Sequence, residues 1–123
     1  MLDAGALLAV ERNDRDMLAV LKHEHLAHRT PVTHGGVIGQ VWRGGRGRQA
    51  NLARFLRGVG VVPLDDALGR VAGVMLAAAA TTDVIDAAIV ALAADGDAIY
   101  TSDPGDLGIL ADAAGLRVQL IRV

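Results

Sequence analysis

Short apolar runs alternate along the chain with longer segments in which apolar residues recur at helical spacing. The longer segments begin at acidic or small polar residues, which predicts helices over residues 4–11, 15–28, 35–43, 49–57, 67–80, 83–94 and 103–114. The short runs predict strands over residues 30–33, 59–64, 98–101 and 117–123, with residues 1–3 as the end of a further strand. Because two residues ahead of Asp3 make a poor strand, either the fold tolerates a short strand or the natural protein starts further upstream.

This order of elements predicts an α/β fold, namely a three-layer α/β/α sandwich with a mainly parallel five-stranded sheet. No repeat or linker interrupts the pattern, so residues 1–123 are interpreted as a single domain. In parallel sheets, ligand sites lie beyond the carboxyl ends of the strands. Asp3 and Asp103 both fall at predicted strand ends, which makes that edge of the sheet the candidate site.

Composition narrows the classes of protein that fit. Of the 123 residues, 52% are hydrophobic and only 2% are aromatic, which predicts an aliphatic core. The absence of cysteine excludes disulfides, thiolate metal sites and cysteine nucleophiles. The sequence has no apolar run of about 18 residues and no signal-peptide pattern. We therefore expect a cytoplasmic protein with no membrane span.

The net charge of -2 gives no overall indication of nucleic acid binding, but the arginines are clustered. Such a cluster usually solvates an outer face, with contact to RNA phosphates as the alternative. It comprises Arg43, Arg46, Arg48, Arg54 and Arg57. A second group of polar residues, on the predicted helix over residues 15–28, is interpreted as an exposed face without chemistry; it comprises His23, His25 and His28.

The spacing Asp-x-x-Asp occurs twice, at Asp83 and Asp86 and at Asp103 and Asp106, each time where a helix is predicted to begin. Taken singly, such residues are most often helix caps. Asp86, however, lies closer to the apolar stripe of its helix than Asp83 does, and should face the interior edge. Two like charges about 5 Å apart repel by roughly 3 kcal/mol, so clustered carboxylates favour a bound cation. Oxygen ligands without cysteine point to Mg²⁺ or Mn²⁺.

Three stretches of the chain resemble the PIN domain ribonucleases, specifically the VapC type of toxin. They are the start, Leu2-Asp3-Ala4-Gly5-Ala6-Leu7, the pair Asp86-Ala87 ahead of an apolar helix, and Thr101-Ser102-Asp103-Pro104-Gly105-Asp106-Leu107 after a strand. The resemblance implies a PIN-like fold over nearly the whole chain. It also implies that Asp3, Asp86 and Asp103 bind the catalytic metal, with Asp106 as an outer contributor.

The chain departs from the family pattern at Gln40. The family has a glutamate in a context like Glu-Val-Trp-Arg, whereas this sequence reads Gln40-Val41-Trp42-Arg43. A glutamine carbonyl can still reach a metal or its water, but it brings no negative charge, so the affinity for the ion should fall.

The activity implied by the resemblance is that of a Mg²⁺- or Mn²⁺-dependent endoribonuclease that hydrolyses RNA phosphodiester bonds as the toxin of a toxin–antitoxin pair. Its partners would be RNA, a cognate VapB-like antitoxin and a second copy of the chain. Thr101 and Ser102 are expected to bind phosphate or a metal water. Three arginines would steer RNA or meet a carboxylate of a partner, namely Arg43, Arg46 and Arg48.

Two other classes of function remain open at this point. The first is a catalytically weakened PIN domain that binds its antitoxin or RNA without turnover. The second is a phosphorelay receiver domain, which also has an acidic pocket but needs a lysine late in the chain. Lys22 is the only lysine, which disfavours the receiver domain.

Overall fold

The computed structural model describes residues 1–44 and 47–123. Within these residues the chain forms seven α-helices and four short strands. In chain order they are α1 (Ala4–Glu11), α2 (Arg15–Leu26), β1 (Val32–His34), α3 (Gly35–Val41), α4 (Ala50–Leu56), β2 (Gly60–Val62), α5 (Asp66–Ala79), α6 (Val84–Leu92), β3 (Ala98–Thr101), α7 (Pro104–Ala113) and β4 (Gln119–Arg122). The predicted helices are confirmed, with ends that differ by a few residues.

The strands form two separate two-stranded sheets, so the prediction of a five-stranded sheet in a three-layer sandwich is wrong. β1 pairs with β2 and β3 pairs with β4, both in parallel, among the residues described. The parallel direction of pairing agrees with the prediction. What is missing among the described residues is a continuous ladder between the two sheets.

Residues 1–3 lie between the two sheets and bond to both without forming a strand. The backbone N–H of Leu2 donates to the Val32 carbonyl at 2.9 Å, and that of Asp3 donates to the Tyr100 carbonyl at 3.2 Å. Only Leu2 forms a β-bridge, with Tyr100. The Thr33 hydroxyl adds a bond to the Leu2 carbonyl at 2.8 Å. The Tyr100 N–H in turn donates to the Met1 carbonyl at 2.9 Å. Among the described residues, the first three therefore exchange backbone bonds with β3 but make one backbone bond to β1, and no continuous ladder joins the two sheets.

The core is aliphatic, as predicted. Its fully buried side chains come from all parts of the chain, and the largest are Leu2, Leu7, Met17, Leu52, Ile89, Ile99, Leu107 and Leu110. Tyr100 is the largest aromatic contribution, at 9% exposure. Helix α6 lies at the centre of the structure, with Ala87, Ala88, Ile89 and Val90 all buried. These buried residues anchor α6 in the core, while its first turn reaches the surface.

Aspartate caps begin many of the helices. The side chains of Asp14 and Asp65 accept backbone N–H bonds at the starts of α2 and α5, at 2.9 and 3.0 Å. Each such cap stabilises a helix by about 1 kcal/mol, which explains several acidic residues without reference to function.

In the described part of the chain, no single helix has both the length and the apolar composition of a membrane span, and α5 and α6, which pass that test only together, are bent by 108° at their junction.

Candidate functional site

Asp3 is held at the start of α1 by the backbone bonds of residues 1–3. Its Oδ1 accepts the Ala6 N–H at 2.9 Å, and the residue is only 7% exposed. Leu2, immediately before it, is buried between the two sheets, so Asp3 lies next to the carboxyl ends of β1 and β3. The cap uses one carboxylate oxygen and leaves the other as a potential ligand.

Asp86 has the most perturbed carboxyl group of the site. It lies half-buried in the first turn of α6, whereas Asp83 is exposed and caps that helix through bonds to Ile85 and Asp86. The pKa of Asp86 is raised to about 6, first by burial and then, in decreasing order, by the negative charges of Asp83, Asp3, Asp106 and Asp103. The predicted difference between an interior Asp86 and a capping Asp83 is confirmed.

Asp103 and Asp106 follow β3 in a tight turn into α7. Asp103 caps that helix, with its Oδ1 accepting the Asp106 N–H at 3.4 Å. The buried Thr101 hydroxyl accepts the Asp103 N–H at 2.9 Å. Thr101 therefore shapes the turn, while Ser102 and both aspartates are exposed.

The turn at residues 101–103 packs closely against the start of α1. A Cβ atom added at Gly5 would lie 2.5 Å from Ser102 Oγ and 2.9 Å from Ser102 N. Only a glycine allows this approach, which brings the helix start at Asp3 beside the turn that carries Asp103. Sequence reasoning did not assign a role to Gly5, because its partner lies 97 residues away.

These contacts bring together Asp3, Asp86, Asp103 and Asp106, which we call the aspartate cluster. All four were predicted as candidate metal ligands. The negative charges of the other three each raise the pKa of Asp86. The structure joins them from α1, α6 and the start of α7, three elements far apart in sequence.

His34 is a second residue that the sequence did not indicate. It is fully buried at the end of β1, and its Nε2 lies 2.9 Å from the carbonyl of Ile85, the residue before Asp86. Burial lowers the pKa of its imidazole. The sequence signal that could have found it is weak: a histidine between an apolar strand and a glycine-rich helix start.

The predicted site residues on and after α3 make no hydrogen bond to the aspartate cluster among the described residues. Gln40 is exposed, and none of the hydrogen bonds of the described residues joins it to the cluster. Arg43 donates to the carbonyls of Gly39, Gln40 and Trp42 at 2.8–3.2 Å, so its guanidinium closes the carboxyl end of α3. Arg48 is exposed, and Arg46 lies outside the described residues.

No family model matches the chain, and no curated protein matches it. The assignment of function therefore depends on the residues and their geometry.

The aspartate cluster fits a hard divalent cation in its donor chemistry but is not closed around one. Carboxylate oxygens are the ligands that Mg²⁺ and Mn²⁺ prefer, and mutual repulsion among the aspartates would be relieved by a cation. Yet within residues 1–44 and 47–123 no three His, Cys, Asp or Glu side chains are grouped closely enough to hold a metal ion. Since Mg²⁺ usually keeps several waters and takes one or two carboxylates directly, such an open arrangement is compatible with it.

Proposed function

We propose that the protein is a Mg²⁺- or Mn²⁺-dependent endoribonuclease that hydrolyses RNA phosphodiester bonds. The observation that supports this most strongly is the half-buried Asp86, whose pKa is raised to about 6 beside Asp3, Asp103 and Asp106. A carboxylate kept in such surroundings costs stability unless a cation binds it. Perturbed acids of this kind are concentrated at functional sites.

The ligands of the ion would be Asp3, Asp86 and Asp103, with Asp106 near the outer waters and Gln40 as a neutral contributor. When bound, a divalent ion supplies an activated water and offsets charge on the scissile phosphate. The chain itself holds the carboxylates in place through the caps at Asp3 and Asp103.

The substrate side of the site is formed by the turn after β3. Ser102 is exposed in the turn beside Asp103, and we assign its hydroxyl to a phosphate oxygen. The Thr101 hydroxyl is buried and bonded to Asp103 N, so its role is to fix the turn rather than to contact RNA. Arg48, exposed on the segment before α4, is the described arginine that we assign to steering RNA.

The resemblance to VapC-type toxins extends the proposal to partners. In this proposal the protein is a toxin component in the cytoplasm, is blocked by a cognate VapB-like antitoxin and forms a homodimer. The motifs that support it are the segments at Leu2–Leu7, Asp86-Ala87 and Thr101–Leu107.

A second candidate is a catalytically weakened domain that binds RNA or an antitoxin without turnover. Two observations favour it: Gln40 stands where the resembling family has a glutamate, and the described residues contain no closed metal group. The two candidates differ in metal-dependent turnover, since both would keep affinity for a partner.

A cleavage assay separates the candidates. A mixed pool of fluorescently labelled single-stranded RNA is incubated with the protein and Mn²⁺ or Mg²⁺, with EDTA as the blank. We expect cleavage by the parent protein and by Asp112→Asn, an exposed position on α7. Asp103→Asn should lose cleavage by at least tenfold while it keeps the helix cap, since Asn caps as well as Asp. An Asp103→Asn variant as active as the parent would contradict the enzyme proposal.

A further inference from the structure

The imidazole of His34 forms a bridge between two elements. Its Nδ1 accepts the Gly36 N–H at 3.0 Å, which caps α3, and its Nε2 lies 2.9 Å from the Ile85 carbonyl in α6. A backbone N–H can only donate, so Nδ1 is the acceptor and Nε2 carries the proton. One neutral tautomer thus satisfies both bonds, which suits a fully buried ring.

The start of α3 packs closely against this bridge. A Cβ atom added at Gly36 would lie 2.5 Å from Ile85 Cδ1 and 2.8 Å from His34 Cε1. The glycine therefore allows the end of β1 to press directly against the first turn of α6. His34 and Ile85 lie 51 residues apart in sequence, so their contact joins distant parts of the chain.

The bridge holds the residue next to Asp86, the member of the aspartate cluster whose pKa is raised. Asp86 follows Ile85 directly, and the surrounding negative charges push the Asp86 carboxylate away from the cluster. Asp83 caps the same turn from its exposed side, but that bond is local and moves with the helix. The bond from His34, at the end of β1, to the Ile85 carbonyl instead ties this turn to the sheet edge where Asp3 lies.

We propose that His34 is a positioning residue, which holds the first turn of α6 so that the Asp86 carboxylate faces the other aspartates. This inference rests on the proposed function, because the expected effect of the positioning is tighter binding of the divalent ion. His34 itself touches neither the ion nor the RNA. It acts as the outer support of a metal ligand, a role whose loss commonly weakens metal affinity by about 10–100-fold.

Two conservative variants separate positioning from simple capping. In His34→Gln the side-chain amide reaches the place of Nε2 and can donate to the Ile85 carbonyl. In His34→Asn the shorter side chain stays near the place of Nδ1, so it keeps the cap on Gly36 but loses the link to α6. A role confined to capping α3 would be preserved by Asn, whereas the positioning role is preserved by Gln.

The affinity for Mn²⁺ alone is measured by calorimetry at pH 7.5 for the parent and both variants. We expect His34→Gln to bind within about threefold of the parent and His34→Asn to bind at least about tenfold more weakly. Equal affinity of the two variants, whether both retained or both reduced, would overturn the proposal.

A second readout without metal keeps this test separate from the proposed function. The exchange of the backbone amide hydrogens of α6 is measured in the three proteins. Loss of the bond to the Ile85 carbonyl should speed exchange near the start of α6 in His34→Asn but not in His34→Gln. If the parent binds no Mn²⁺, the proposed function fails, and the exchange measurement still decides the role of His34. Unchanged exchange in His34→Asn would then overturn the inference.

Discussion

Replacement of Asp86 by Asn should stabilise the protein at neutral pH in the absence of divalent ions. The pKa of Asp86 rises from its ordinary 3.8 to about 6 on folding. That rise corresponds to about 3 kcal/mol at full weight. Because the carboxyl group is half-buried and partly screened by water, we expect a gain of about 1–2 kcal/mol from the neutral amide.

The gain should depend on pH in a defined direction. A carboxyl group with a raised pKa binds its proton more tightly in the folded state than in the unfolded state. Its contribution to stability is therefore present at low pH and is lost as the pH rises from about 4 through about 6. The Asn variant has no such proton, so its advantage over the parent should be small at pH 4 and largest above pH 7.

Urea unfolding at several pH values in EDTA measures this difference. Asp112→Asn serves as the matched control, because it also removes one carboxylate. Asp112 is exposed on α7, and its charge is not among those that raise the pKa of Asp86. Asp86→Asn should shift the free energy of unfolding by the stated amount while the control changes it by less than about 0.5 kcal/mol. If Asp86→Asn destabilises the protein at pH 8, or matches the control, the electrostatic account of the site is wrong.

Three further predictions concern residues around the site. Gly5→Ala should lower stability by about 1–3 kcal/mol and weaken Mn²⁺ binding, because the new Cβ would meet Ser102. The control Gly39→Ala, whose Cβ would meet nothing within 4 Å, should change neither property in the same thermal and calorimetric assays. Gln40→Glu should tighten Mn²⁺ binding, and a calorimetric titration without gain would mean that residue 40 points away from the ion. Gln49→Ala should lower the free energy of unfolding by about 1–3 kcal/mol, because this buried side chain makes two backbone hydrogen bonds at the end of α3; an unchanged urea midpoint would contradict this.

Local signals predicted the helices well and the sheet poorly. Aspartate caps and apolar stripes depend on neighbours a few residues away, so α5 and α6 could be placed from the sequence. Strand pairing depends on distant residues, and its extent follows from the backbone bonds available. The run over residues 59–64 contributes only Gly60–Val62 to a sheet, and residues 1–3 contribute a single bridge. A count of apolar runs therefore predicted one sheet where two short ones form.

In the candidate site too, local features could be predicted from the sequence and contacts between distant residues could not. The interior position of Asp86 could be predicted from helical geometry, because the apolar stripe of α6 fixes which side faces the core. Arg43 was predicted to steer RNA or to meet a carboxylate of a partner. In the structure its guanidinium bonds to three carbonyls at the end of α3. Gly5 and His34 carried no local signal, since their partners lie 97 and 51 residues away.

The central claim is that a divalent ion binds the carboxylate of Asp86 within the aspartate cluster. Binding to a group that is half protonated must release protons, which calorimetric titration with Mn²⁺ detects when buffers of different ionisation enthalpy are compared. Since the pKa of Asp86 is about 6, binding at pH 6 should release roughly half a proton from this group per ion, and binding at pH 8 should release almost none. An absence of binding heat, or the same proton count at both pH values, would contradict the account.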